Sequence, residues 1–474
     1  TLETLGTVKQ FSDEEVRLAV ADAYKAGPAW EALGFDKRRN YLLSVRDILL
    51  GSIDEVAEII SKENGKPVVE AIANDIMPVL DLITYFAKNA HKILRKEGLK
   101  LGKWTILGRK SYLEYYPVGV VGVIAPWNFP LSIPLGGVAM ALLAGNTVVL
   151  KPSEYTSLIA QKISDIIHQA RLPEGVFQMV TGGGMVGAAL VKSGCNKIAF
   201  TGSVETGKKI MAACAETLTP VSLELGGKDP FIVFADSDLD VASSAAVWGA
   251  FCNSGQVCAS VERVYVEKKV FDEFSQLVVD KTNLIHQGIA LSSNVDVGAM
   301  TSEMQLNKVI AHVDDAKQRG AKILTGGERN PDLKGYFYKP TVLMNVDHSF
   351  PVVSEETFGP VLPLMSFEDE EEVIKLANDT PYGLDAYIWS KDTRKARRVA
   401  SQIQAGTVNI NESIFTHALP QVPWGGPKHS GIGRTHGAIG LLDLVNVRHI
   451  HENKMPKKRN FFWWYGYSQD KITM

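Results

Sequence analysis

The chain has 474 residues, more than one hydrophobic core usually sustains, so two or three domains are expected. With 45% hydrophobic and 22% charged residues and a formal net charge of -3, it is neither a disordered acidic chain nor a basic nucleic-acid binder. The longest apolar stretch, from Val118 to Leu150, is broken by Pro126, Asn128, Pro130, Pro134 and several glycines, which excludes a membrane-spanning helix.

In chain order, residues Asp13 to Ala26 and Lys37 to Ala71 carry helical periodicity, with Asp13 as the cap and Glu14 and Glu15 in the first turn. From Gly98 to Tyr116 the pattern alternates, which predicts an extended, hairpin-like segment projecting from the body. Short apolar runs separated by helical stretches follow at Val120 to Ile124, Thr147 to Leu150, Val176 to Val180, Lys197 to Phe200 and Val221 to Leu225. A second series runs through Arg263 to Val266, Pro340 to Leu343, Pro363 to Ser366, Ala386 to Trp389 and Gly406 to Ile410. This rhythm predicts an α/β protein with two doubly wound domains on parallel sheets. The acidic run Glu368 to Glu372 reads as a solvated helix start.

Four cysteines, Cys195, Cys214, Cys252 and Cys258, form no CxxC pair and have no histidine at metal-ligand spacing. Neither disulfides nor a metal site is expected. No charged and apolar leader precedes the first helix, so the cytoplasm is the default location, without a membrane or nucleic-acid partner.

Residues Gly182 to Gly187 spell GxGxxG after an apolar run, but no acidic residue follows about 20 positions later, as a dinucleotide fingerprint requires. A plain glycine turn explains them as well. Gly202-Ser203-Val204-Glu205-Thr206-Gly207 is the better phosphate candidate, because it opens the helix Lys208 to Glu216 directly after a strand. An ordinary Ser-capped helix remains the alternative reading.

The segment Phe251 to Cys258 places a thiol just after a Gly-Gln turn, and Glu224, 34 residues earlier, ends an apolar strand before two glycines. Taken singly, the cysteine reads as a small buried hydrophobe and the glutamate as a solvated strand end. Together with Pro126-Trp127-Asn128-Phe129-Pro130, Lys151-Pro152-Ser153-Glu154, Phe200-Thr201-Gly202-Ser203, Glu224 to Lys228, Gly255 to Cys258, Glu355 to Pro360 and Gly425 to Gly431, they make the chain resemble the aldehyde dehydrogenase superfamily nearly end to end.

That resemblance implies two Rossmann-like domains, with residues 1–98 and 118–226 binding NAD, residues 227–440 catalytic, and residues 99–117 and 441–474 forming a small β extension for oligomerisation. It implies Cys258 as nucleophile, Glu224 as general base, and Asn128 with the Cys258 N–H as oxyanion hole. Lys151, also among the catalytic candidates, and Glu154 match positions that hold the adenosine ribose; a carboxylate there favours NAD over NADP. Ile124, Trp127, Gly184, Gly202, Ser203, Gly207, Leu225, Glu356 and Phe358 complete the cofactor set, with Gly184 near the adenine.

Segments matching the family's substrate channel contain no Lys or Arg. Their Phe129, Ile133, Trp248, Val257, Phe415 and Trp424 offer an apolar wall, and Gly136 suggests a wide tunnel. The expected substrate is an aliphatic, aromatic or isoprenoid aldehyde, with an aminoaldehyde second, since Glu412 and Trp248 could receive a cation. An NAD-independent esterase acting through Cys258 is the reading from another class. The aromatic tail, with Phe461, Phe462, Trp463, Trp464, Tyr465 and Tyr467, is expected to pack on the body or a second subunit, the alternative being a peripheral membrane contact aided by Lys457, Lys458 and Arg459. A homodimer or homotetramer is implied.

Overall fold

The apolar runs between Val118 and Glu224 become the parallel strands Val120–Ile124, Thr147–Lys151, Phe177–Met179, Lys197–Thr201 and Val221–Glu224. Every residue of the first two is buried, as near-continuous Val/Ile/Leu runs require when helices cover both faces. The computed structural model describes residues 2–455 together with Trp464, Tyr465, Tyr467 and Gln469. These strands order the sheet so that Val120–Ile124 lies between Thr147–Lys151 and Lys197–Thr201, and the chain reverses its direction of travel there. Such a switch point leaves a crevice at the carboxyl ends of the strands. A sixth, antiparallel strand, Gly431–Ile432, pairs with Val221–Glu224 and comes from much later in the chain.

A seven-stranded sheet is built from Lys322–Thr325, Thr341–Met344, Val361–Phe367, Val261–Glu267, Asp229–Val233, Tyr387–Trp389 and Asn409–Ile410, in that spatial order. All its pairings are parallel except the first. Asp229–Val233, near its centre, was not anticipated. Its opening Asp229 and Pro230 hide an apolar run that emerges right after the glycine turn at Gly226 and Gly227. Lys322–Thr325 and Gly431–Ile432 were likewise not foreseen.

The alternating segment forms Glu97–Leu99 and Arg109–Pro117, joined through a helical turn at Lys103–Ile106, and Val445–Asn453 completes an antiparallel three-stranded sheet. The expected cap Asp13 is corrected by one residue. Ser12 caps the helix Asp13–Ala32, its side chain accepting from the Glu15 N–H while Glu15 reaches back to the Ser12 N–H. The helical stretch from Lys37 is three helices, Phe35–Leu50, Ile53–Asn64 and Val68–Ala71, interrupted at Gly51 and Gly65. Asp369 caps Glu370–Asn378, as the acidic run suggested. Among the described residues no helix is long and apolar enough to cross a membrane. Lys457, Lys458, Arg459, Phe461, Phe462 and Trp463 lie outside the described residues; Trp464, Tyr465 and Tyr467 are exposed on the single chain.

Candidate active site

The chain leaves the first sheet at Glu224 and enters the second at Asp229, so carboxyl ends of one sheet face amino ends of the other. A cleft of about 610 Å³ lies at this junction. Cys258, Glu224 and Asn128 line it, together with Glu356, Phe358 and Trp127. Ile124, Lys151, Glu154, Gly184, Gly202, Ser203 and Leu225 line it too. These sequence-predicted residues all line the same cavity. Gly207 is the exception among the cofactor candidates: it is buried beneath Leu225, whose Cδ2 would lie 2.7 Å from an added Cβ, so it lets a helix approach the strand end.

Cys258 is presented by an unusual loop. Asn253, Ser254 and Gly255 adopt successive positive φ values of 49°, 56° and 72°, which only glycine adopts without strain. At Gly255 any side chain would also strike the Gly359 carbonyl, 2.2 Å from an added Cβ. The loop is pinned by the Asn253 N–H donating to Glu70 (2.9 Å), by Ser254 Oγ donating to the Gly298 carbonyl (2.9 Å), and by the Thr301 N–H donating to Gln256 Oε1 (3.0 Å). Burial and the nearby Glu224, Asp229 and Glu356 push the Cys258 thiol well above its ordinary range, while the Ala259 N–H acts in the opposite direction.

Glu224 ends its strand as a buried carboxylate and accepts a hydrogen bond from the Thr435 hydroxyl. Burial raises it to about 7, with Thr435, Arg434 and Thr201 opposing. Glu356 is also raised to about 7 by burial, and it accepts from the Gly227 N–H at 3.1 Å. Its segment is held by Glu262, which accepts from the Thr357 and Phe358 N–H groups, each at 2.8 Å, and pairs with buried Lys228. The Phe358 ring meets Trp127 edge-on at 5.5 Å between centroids.

Asn128 donates one amide hydrogen to the Gln256 carbonyl at 3.1 Å, which leaves the second for a ligand. Its own carbonyl accepts from Lys66 Nζ at 2.7 Å and from Asn253 Nδ2 at 2.9 Å. Lys66 pairs with Asp75 at 3.2 Å, both side chains fully buried. Asp75 in turn accepts from the Leu131 and Ser132 N–H groups at 3.1 and 2.6 Å, capping the helix Ser132–Leu143. This support was missed from sequence. So were Glu262 and Thr435; the available signal was a charge inside an apolar strand, Glu262 in Val261–Glu267.

Within the same lining, Lys151 and Glu154 are ion-paired at 3.1 Å. An added Cβ on Gly184, the first residue of the helix Gly184–Lys192, would meet nothing within 4 Å. Ser203 caps Val204–Ala215, accepting from the Thr206 N–H at 3.3 Å. A ribose-sized polar end, an open glycine cradle and a helix start on one cleft fit an extended dinucleotide.

The expected substrate residues separate into groups. Phe129, Val257 and Trp424 pack in one apolar cluster with Ala259, Leu384, Ile133, Ile414 and Cys258. Trp248 and Phe415 are exposed, 44% and 53%, away from the main cleft. A cation does come near: Lys66 Nζ lies 4.1 Å from the centre of the Phe129 ring, carried in from a segment that sequence reasoning did not include. An added Cβ on Gly136 would have one neighbour within 4 Å, Leu82 Cδ1 at 3.4 Å.

The sequence model described as "Aldehyde dehydrogenase family" matches residues 1–450. The chain belongs to the aldehyde dehydrogenase family. As an aldehyde dehydrogenase it is 42% identical over 447 residues to 4,4'-diapolycopene aldehyde oxidase of Methylomonas sp, covering 94% of this chain and 82% of that one. It is 36% identical to the succinate-semialdehyde dehydrogenase [NADP(+)] of Escherichia coli strain K12, covering 94% and 92%. The crystal structure of betaine aldehyde dehydrogenase from Staphylococcus aureus in complex with NAD+ superposes with a TM-score of 0.92 at 35% identity, covering 98% of this chain and 91% of that one. Family membership and the α/β fold agree with the sequence reading.

Proposed function

We propose that this aldehyde dehydrogenase oxidises an apolar aldehyde to its carboxylic acid with NAD, through a thioester on Cys258. The observation that carries the reading is the single cleft lined both by Cys258, Glu224 and Asn128 and by Lys151 and Glu154. Cys258 Sγ attacks the carbonyl carbon as Glu224 takes the thiol proton, and the oxyanion is met by the free Asn128 amide hydrogen and the Cys258 N–H. A nicotinamide held in the cleft would supply the acceptor for the hydride that leaves the former carbonyl carbon, leaving Cys258 acylated. Glu224 passes the thiol's proton to solvent and, ionised again, removes a proton from the water that attacks the thioester, releasing acid and thiolate. With Glu224 raised to about 7, it is poised to gain and lose that proton near neutrality.

Lys151, Glu154, Gly184 and the helix start at Ser203 would hold the adenosine and phosphate end, and Glu356, Phe358 and Trp127 the other. The Glu154 carboxylate would accept from ribose hydroxyls and repel a 2'-phosphate, which supports NAD, although an NADP(+)-named relative is similar over most of the chain. Residues 1–98 and 118–226 serve the cofactor and 227–440 the catalysis. The three-stranded sheet, with residues 99–117 and 441–474, serves assembly; Val447 and Ile106, exposed at 56% and 82%, support this. Size measurement by light scattering reads the expected dimer or tetramer.

The apolar cluster around Phe129, Val257 and Trp424 supports a hydrocarbon chain beside Cys258, and the similarity to an enzyme named for a diapolycopene aldehyde favours an isoprenoid substrate. Exposed Trp248 and Glu412, with the likeness to a betaine aldehyde dehydrogenase, support the aminoaldehyde reading. Comparing kcat/KM for decanal, a polyene aldehyde, betaine aldehyde and succinic semialdehyde, each with NAD and NADP, decides between them. A winning semialdehyde ends the apolar reading, and turnover by Cys258→Ala ends the mechanism.

A further inference from the structure

Outside the cleft lining, four buried polar residues converge next to the nucleophile. Tyr387 Oη lies 2.6 Å from the Ala259 carbonyl and 3.2 Å from Asp385 Oδ2. A hydroxyl has one hydrogen, and a carbonyl only accepts. The shorter contact uses the Tyr387 hydrogen, so the longer one needs a hydrogen on the acid. Asp385 Oδ1 already accepts from the Ala386 N–H at 2.8 Å and from Asn409 Nδ2 at 2.7 Å, leaving Oδ2 to carry it.

The surroundings agree. Asp229 on the adjacent strand is the charged group beside Asp385, and Glu262 and Arg263 act in turn on Asp229. Asp229 Oδ1 accepts the Asp385 N–H at 3.1 Å, while its Oδ2 has no partner. The Arg263 guanidinium donates to the carbonyls of Lys228, Leu376 and Ala377 and to the Tyr265 hydroxyl, not to either acid. Burial and the neighbouring Asp385 also raise Asp229 well above the ordinary carboxylate range, so both acids of the pair resist ionisation. Burial raises Asp385 to about 8.

Ala259 is held by Tyr387 at its carbonyl, and its N–H faces the Cys258 sulfur, where Glu224, Asp229 and Glu356 all oppose a negative charge. We propose that Asp385 is kept as the neutral acid and, donating to Tyr387, positions Ala259 so that its N–H supports the Cys258 sulfur as charge develops there. Asp385 and Tyr387 are positioning residues, and the inference rests on Cys258 being the nucleophile.

The test is the pH profile of Cys258 alkylation by iodoacetamide, followed by peptide mass spectrometry, together with kcat and the cofactor KM. Tyr387→Phe moves the profile to higher pH and lowers kcat roughly fivefold or more, the loss expected for one hydrogen bond, with the cofactor KM unchanged. Asp385→Ala does the same. Asp385→Asn restores the wild-type profile, because its amide accepts through Oδ1 and donates through Nδ2 where the acid's hydrogen stood. An Asn variant as impaired as the Ala variant, or a Phe variant with the wild-type profile, overturns the proposal. Should Tyr387→Phe fail to fold, the Asn variant against wild type still decides. Cys258→Ala is assayed alongside: activity there fails the nucleophile reading itself, whereas an inactive Cys258→Ala with an unmoved Tyr387→Phe profile fails this inference alone.

Discussion

Replacing Glu224 by Gln should trade activity for stability in a pH-dependent way. The native carboxyl titrates at about 7 against an ordinary value of 4.5, with burial as the main cause. Because the folded pKa is raised, the folded state holds its proton more tightly than the unfolded chain does. Glu224 therefore costs nothing below about pH 4.5, and the cost grows as pH climbs through the window to about 7. The shift is worth about 3 kcal/mol at pH 8. Glutamine keeps an oxygen for the Thr435 hydroxyl and never ionises. Glu224→Gln should match the wild type near pH 5 and exceed it by up to about 3 kcal/mol at pH 8, roughly 3 °C in Tm for a chain this long. Urea unfolding at both pH values reads the difference. Turnover should fall by about 10²- to 10⁴-fold, and the wild-type rate should rise with pH around neutrality as the base ionises. Parallel stability curves for the two proteins would refute the argument, since they would mean that Glu224 ionises inside as readily as outside.

Asp75→Ala strands the buried Lys66 ammonium and uncaps Ser132–Leu143, so urea unfolding should show a loss of about 3–5 kcal/mol, largely recovered by adding Lys66→Met. In Gly226→Ala the new methyl falls 2.4 Å from Glu356 Oε1, and displacing that carboxylate should weaken cofactor binding in a fluorescence titration while Cys258 stays reactive to iodoacetamide. Glu154→Ser removes the charge that repels a 2'-phosphate and should move the ratio of kcat/KM for NADP over NAD upward by about tenfold.

The architecture was legible because buried parallel strands announce themselves as apolar runs, and Val120–Ile124 kept the predicted bounds. Asp229–Val233 escaped because a strand that starts with Asp and Pro looks like a turn until the sheet around it is known. Cys258, Glu224 and Asn128 were legible through ordered motifs, and the cleft gathers them. What the sequence hid is support that acts across distance. Lys66 meets the Asn128 carbonyl from 62 residues away, Asp75 meets the Leu131 N–H from 56, and Thr435 reaches Glu224 across 211. Periodicity reports which face of an element is apolar, but not which distant carboxylate completes a hydrogen bond. Trp248 and Phe415 show the converse, aromatic residues that read as wall yet stand exposed.

The left-handed run at Asn253 and Ser254 has a thermal consequence. Each such residue carries on the order of 1–3 kcal/mol of conformational strain, held by the contacts of its loop with Glu70, Asn128, Gly298 and Thr301. Those anchors belong to segments distant in the chain, so modest loosening between them lets the turn relax while both cores remain folded. On warming, the enzyme should fall silent some degrees before it melts, with its cysteine displaced rather than destroyed, and recover on cooling.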